Sequence, residues 1–567
     1  MGSAAGDKSD YEDQYETVID ITEVGADDEG NESITPILEE HADDNTLLYF
    51  PSGRYYMDDQ FRFTGFNNFG MVGDDAELVP ASYDDFDEGG DGNYRLFRMG
   101  VDYDPGKDLR IEGFTVDQSA DNTGIRVIEA AVDDGLVVRD IEIVGQHDSG
   151  TWGPGRFVIT DSDGEGLVEN FSASDGAVWE GNAPSDALWR GPTGIISNNN
   201  KGTLTFRDCI LGSFPDNGLY AAHGSGSIQI EGGRFEDSLG ANVRLGGNSS
   251  YIEDADIIVS EQDSHGIAQR GIRLEEGTDL VVRNVEIQTS VEMSPAIWVT
   301  NGADDTTVVD STITTRADGP GTAISIRESS GRVEIKQTTV DHETDGGPAI
   351  KIKQGDKPAT LENVTVVGSA PTNGTRSAIQ NGRDNSEFRN IRVDHGGGEG
   401  RRALMNTANN VVIYEGDYVS EDNAIVESGT GTLIENVSAL ARSGNAGLRI
   451  TDDAEDVTVT DSHIGNGIDD NSSDGYDGGN NSSEYDGGDD NDGDAGDGAD
   501  GNSGDGSDGG NDGSSGDDSD SGSDDGSDSG SGDDSDSGSD DGSDSGSDDD
   551  SDSDSDDNSG GSVCRFR

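Results

Sequence analysis

LVVRDIEI (136–143), LTFRDCIL (204–211), LVVRNVEI (280–287) and VTVTDSHI (457–464) repeat one phrase: two or three β-formers, an Asp or Asn, then another short β run. TVVDSTI (307–313), TLENVTV (360–366), EFRNIRV (387–393) and TLIENVSA (432–439) repeat it again, with looser copies around Gly113, Asn170, Gly232, Asp254, Gln337 and Glu415. The marker residue thus recurs fourteen times between 113 and 461, about 27 residues apart. A second phrase, small–apolar–x–apolar, falls between the markers: GIRVI (124–128), GLYAA (218–222), NVRLG (242–246), GIRLE (271–275), AIWVT (296–300), AISIR (323–327), AIKIK (349–353) and GLRIT (447–451). Each period therefore holds three short strands separated by Gly, Asp and Asn bends, and nothing between them has helical periodicity. The leucine-rich consensus is absent, and a propeller needs four strands per blade. The expected fold is all-β: a single-chain parallel β-helix of about 13–15 rungs, stacked at about 4.8 Å per rung. Asp and Asn tolerate the left-handed backbone of a tight bend, so the marker row reads as structural, not as a row of catalytic carboxylates.

Outward from the repeats, residues 1–16 read as a flexible start and 17–99 as an N-terminal capping region. The β-helix is expected over 100–465, followed by an acidic tail over 466–567. In the capping region Ile34, Ile37, Leu38 and His41 follow helical spacing, with Pro36 in the first turn. An amphipathic helix there would close the open end rung. The order Gly-Ala-Asp (25–27), short helix, LLYFPSGRYY (47–56), then MVGDDAELVP (71–80) resembles the start of the pectate-lyase superfamily of right-handed parallel β-helices. It is especially similar to extracellular members encoded by halophilic archaea, as is FPDNGLYAAHGSGSIQIEGGRFEDSLGANVRLGG (214–247). The resemblance implies a right-handed coil and leaves activity open, because that superfamily includes lyases, hydrolases, epimerases, tailspikes and adhesins.

The chain has 567 residues, 119 acidic and 35 basic, for a net charge of −84. Only 7 bases are lysine, and the tail alone holds 34 acids against 2 arginines. Acid excess with arginine preferred reads as a halophile's solvated surface, and it argues against DNA, RNA and anionic lipid as partners, which most of that surface would repel. No apolar run suggests a membrane span, and no signal-peptide core opens the chain. The expected location is extracellular or at the cell surface of a halophilic archaeon, the export signal lying outside this chain. The tail, nearly all Gly, Asp, Ser and Asn, reads as a disordered, self-repelling spacer.

If the apolar residues of the second phrase face the core, its x positions form an outward ladder: Arg126, Tyr220, Arg244, Arg273, Trp298, Ser325 and Lys351. Arginine can grip a carboxylate or sulfate with two bonds, and aromatic rings can stack on a sugar face. The longest excursion, 145–193, carries Trp152, Trp179 and Trp189, and the loop 260–270 carries Glu261, Asp263, His265 and Arg270. Proton abstraction from a uronate needs a base near the sugar and a cation for the developing charge. The candidate catalytic residues are accordingly Tyr220, His223, Arg244, His265 and Arg273, with Trp152, Trp179, Trp189, Arg270 and Trp298 as substrate-binding candidates. Ca2+ is the one ion considered, with Asp263 and Glu261 as candidate ligands. The expected partner is an acidic polysaccharide or surface glycan, engaged by a lyase, by a hydrolase as second choice, or by a non-catalytic adhesin, structural surface protein or viral spike. The polygalacturonase motif set is absent. Val340-Asp341-His342 and Val393-Asp394-His395 resemble a pectate-lyase tripeptide, on rungs without its partner acids and arginine.

Overall fold

The computed structural model describes residues 6, 8–86, 94–183, 190–261, 264–265, 269–292, 295–371 and 377–483. The acidic tail, apart from 466–483, lies outside them, as do Trp189 and Asp263. Among the described residues every pair of strands is parallel, and the strands follow one another around a solenoid of about 16 turns. The fold is the parallel β-helix expected from the repeats, right-handed as the resemblance implied.

Each rung contributes strands to three stacked rows. Leu219–Ala221, Val243–Leu245 and Ile324–Ile326 belong to the first row, Ser227–Glu231 and Tyr251–Glu253 to the second, Arg234–Glu236 and Asp256–Val259 to the third. Alternation sends Leu219, Val243, Ile272, Ile297 and Ile324 inward, where all five are fully buried. Truncating one such residue to alanine typically costs about 2–5 kcal/mol.

All fourteen marker positions have left-handed backbone, from Gly113 (φ 80°) through Asp140 (52°) and Asn284 (49°) to Asp461 (49°). Neighbouring markers also bond along the stack: Asn170 Nδ2 donates to Asp140 at 2.9 Å, and Asn390 Nδ2 to Asn363 at 2.6 Å. A second left-handed row, at the entry to the second strand, includes Asn45, Asn68, Asp108, Asp279, Asp305, Asn385, Asn410 and Asp456.

The expected helix is present as Thr35–His41, with Ile34 and Leu38 fully buried against the core. The coil itself begins earlier than the 100–465 span assigned to it. Thr17–Asp20 already pairs with Thr46–Phe50, which pairs with Asn67–Pro80. The 17–99 segment thus carries both the helix and the first rungs. Phenylalanine concealed the periodicity there, because these rungs are filled by an edge-to-face cluster of Phe50, Phe61, Phe97 and Phe114 instead of by short aliphatics.

Candidate functional site

Strand register defines the outward row of the first strands. It runs Arg62, Arg98, Glu129, Arg156, Ile196, Tyr220, Arg244, Arg273, Trp298, Ser325, Lys351, Gln380, Met405, Val426, Arg449 and Asp469. Arg126 is therefore not a member. GIRVI resembles the repeat, but the strand Arg126–Val132 sets Ile128 opposite Gly155 and Glu129 opposite Arg156, which shifts the row by three residues. Tyr220 through Trp298 occupy successive rungs as expected.

Four of the candidates form a continuous chain of contacts with two residues the sequence reading missed. The Arg244 guanidinium lies 4.3 Å from the Tyr220 ring centre, and its Nη2 is 3.1 Å from His223 Nε2. Glu275 receives Arg273 at Nε and, at 3.0 Å, at Nη2, while Arg244 Nε lies 3.4 Å away. Glu276, next along a bulge, accepts the His223 backbone N–H, and its other oxygen is 3.5 Å from His223 Nδ1. That second oxygen is buried without a hydrogen-bond partner. Burial pushes the Glu276 carboxyl above its ordinary range, with Glu275 adding, against the bond from the His223 backbone. His223 itself has left-handed backbone (φ 62°), which turns its ring back over the strand toward Tyr220, 5.8 Å between ring centres.

Trp298 is only 8% exposed. Arg270 lies 4.0 Å, Arg273 5.0 Å and Arg327 5.9 Å from its ring centre, so the ring supports three cations instead of offering an open face to a sugar.

The two expected loops meet each other: the Trp179 and His265 rings stack at 3.8 Å and 5°. Trp152 goes elsewhere. Its ring lies 5.2 Å from the Arg126 guanidinium, at the rung of Glu129, three rungs or roughly 14 Å before Tyr220. His147, in the same excursion, is buried and bonded to Thr151, and burial pushes it down to about 3. Glu261 offers its backbone N–H to Asp237 and joins no ligand group. Among the described residues, the one set with metal-ligand spacing is His223, Glu275 and Glu276, whose donor atoms lie within 4.8 Å of one another. Arg244 and Arg273 already pair with Glu275 there, so the set is balanced in charge without a cation.

The histidines of the two tripeptides turn inward and are fully buried. Arg401 Nε donates to His395 Nδ1 at 3.1 Å, His395 Nε2 lies 3.2 Å from His342 Nδ1, and His342 Nε2 is 3.1 Å from the Gly321 carbonyl. Gly368, on the rung between them, makes room: a Cβ there would sit 2.2 Å from the His342 carbonyl oxygen. These residues hold the interior and touch no groove.

The profile of a family described as right handed beta helix region matches residues 193–347. No curated protein matches the chain. Among solved structures, it is similar to the surface adhesin PfbA of Streptococcus pneumoniae, at 10% identity over 82% of this chain and 99% of that one, with a TM-score of 0.40. It is also similar to ORF18 of Geobacillus virus E2, at 11% identity and a TM-score of 0.37, over 69% of this chain and 65% of the viral one. An endo-xylogalacturonan hydrolase from Aspergillus tubingensis aligns at 12% identity over 78% of this chain and 94% of that one, with a TM-score of 0.25. The strand register makes the chain a parallel β-helix, consistent with the right-handed coil described for the family matched over 193–347.

Proposed function

We propose that this protein engages an acidic polysaccharide along the first-strand row between Tyr220 and Trp298, at the surface of, or outside, a halophilic archaeal cell. The observation that carries the reading is the set of guanidiniums held on aromatic faces on consecutive rungs: Arg244 on Tyr220, and Arg270 and Arg273 on Trp298. They stand on a chain whose acids outnumber its bases 119 to 35, so a run of guanidiniums on consecutive rungs is the feature that composition alone would not produce. Pre-positioned arginines select carboxylates or sulfates over neutral hydroxyls.

A second observation favours lyase chemistry at the same place. His223 stands between Glu276, at Nδ1, and Arg244, at Nε2. A uronate carboxylate that drew Arg244 to itself would free Nε2 to take the proton next to that carboxylate. Glu276 would hold the imidazolium that forms, and Arg244 with Arg273 would face the enolate-like charge. Elimination of the glycosidic oxygen would then leave an unsaturated uronate. A panel of pectate, alginate and sulfated glycans in molar salt tests both levels. Ultraviolet absorbance from the unsaturated product, lost in His223→Ala, supports the lyase. Binding without absorbance or new reducing ends supports an adhesin. No binding to any acidic glycan overturns the reading.

A further inference from the structure

Three rungs before Tyr220, four guanidinium groups converge on one carboxylate. Arg95 Nε is 2.8 Å from Glu129 Oε2, Arg98 Nε 3.4 Å and Arg156 Nη1 3.9 Å from Oε1, and Arg126 Nη1 bonds Oε2 directly. None is a surface pair: the Glu129 side chain is 4% exposed, Arg126 3% and Arg156 11%. The cations come from two rows. Arg98 and Arg156 flank Glu129 on the outward row, while Arg95 and Arg126 face each other one turn of strand earlier.

Arg126 is well provided for. It donates to Glu129 and, at 3.2 Å, to the Gly153 carbonyl, under the Trp152 ring. Even so, burial pushes it down to about 10, with Arg95 and Arg156 adding against Glu129. Arg156 is not provided for. Its one carboxylate among the described residues is Glu129, at the outer limit of an ion pair, and its Nε is buried with no acceptor. Withholding the Arg156 Nε from water without an acceptor is strongly unfavourable, and the Glu129 oxygen nearest Arg156 is 3.9 Å away.

We propose that the Arg156 side of this cluster is an anion-binding site for a sulfate-type group, either free or as an ester on a glycan. A tetrahedral oxyanion brings four acceptor oxygens to converging guanidiniums, where a carboxylate brings two. The inference is independent of the reading at Tyr220–Trp298 and survives its failure.

The experiment follows the melting temperature of the full chain as sodium sulfate replaces sodium chloride at constant ionic strength, alongside isothermal titration with a sulfated oligosaccharide and its desulfated form. Wild-type protein is expected to show a saturable rise on top of the general salting-out trend that any protein shows in sulfate. Arg156→Met should keep only the trend, and Arg156→Lys, which retains charge without the fork, should bind at least about tenfold more weakly. Lys351→Met, on the same row far from the cluster, should behave as wild type. Saturation with inorganic sulfate identifies the free ion, and titration by the sulfated sugar alone identifies the ester. If wild type and Arg156→Met rise in parallel, or if neither probe saturates in wild type, the site does not exist.

Discussion

From Arg62 to Trp298 the outward first-strand row carries five arginines, a glutamate and two aromatic rings among its nine positions; from Ser325 to Asp469 it carries Ser, Lys, Gln, Met, Val, Arg and Asp. The interior shows the opposite distribution. The early rungs are filled by Phe50, Phe61, Phe97 and Phe114, while the later ones enclose His342, His395 and Arg401, the series Asn381–Asn406–Glu427, and an Arg383 whose donors all end on Ser330 or on backbone carbonyls. One backbone repeat therefore supports two uses of polar residues. On the outward row of the early rungs they pack against one another, and Arg98, Glu129 and Arg244 are buried there. Inside, on the later rungs, they satisfy one another rung by rung, so they fix register without offering a site.

The largest effect should come from the early half. Glu129→Ala removes the carboxylate that four guanidiniums share, and breaking such a buried arrangement costs on the order of 3–5 kcal/mol, read as a collapse of the melting temperature or loss of soluble protein. A mild effect would mean that the cluster is hydrated, and that the two halves differ less than their burial implies.

The later half should instead declare itself through pH. Burial pushes His342 down to about 4 and His395 to about 3, and each has a lone pair already engaged by its neighbour, so protonation breaks the relay. Their folded values lie below the unfolded one near 6.5. Their contribution is thus complete above pH 6.5 and is lost as pH falls toward 4, by about 3 kcal/mol for His342 alone. Glu427 runs the other way. Burial pushes it up to about 7, so its contribution is present below about pH 4.5 and is lost as pH rises toward 7, again by about 3 kcal/mol. Glu427→Gln should therefore flatten the decline between pH 5 and 8, measured by denaturant melts, and leave the acid limb unchanged. A similar flattening by a change at Glu129 would erase the contrast.

The bend row is common to both halves, so it serves as the control. Asn170→Val and Asn390→Val place a β-branched residue at φ 52° and 51° and remove one bond along the stack. Each should cost about 1–2 kcal/mol, and by the same amount in either half. Smaller still, Lys351→Ala on the bland part of the row should change stability by less than about 0.5 kcal/mol.

What was legible in the sequence follows from this geometry. A left-handed bend accepts few residue types, so the marker row could be read without any structure. The second bend row was just as regular, since Asp108, Asp279, Asp305, Asn385, Asn410 and Asp456 each stand five residues before a marker, but it lies beside or within the strands and was not separated from them in the sequence. The partners Glu275, the last residue of GIRLE, and Glu276, the next one, sit at a bulge where alternation no longer tells which way a side chain points. Glu129 was missed for a different reason: a reading that sends charge outward has no place for a carboxylate buried among arginines. The placement of Tyr220, Arg244, Arg273 and Trp298 on successive rungs was visible because each falls at the x position of a regular phrase.

The central claim is that the early row, and not the late one, meets an acidic glycan. Removing Arg244 and Arg273 alone would strand Glu275, so the informative variant changes the group together: Arg244→Gln, Arg273→Gln and Glu275→Gln. Its affinity for an acidic oligosaccharide in molar salt is to be measured beside that of Lys351→Gln with Arg449→Gln, which lies on the same row beyond the loops. Loss of one charge-assisted arginine contact is worth about 10- to 100-fold, so the first variant should show no measurable binding and the second should bind as wild type. Equal affinities, or a greater loss in the second variant, would contradict the account.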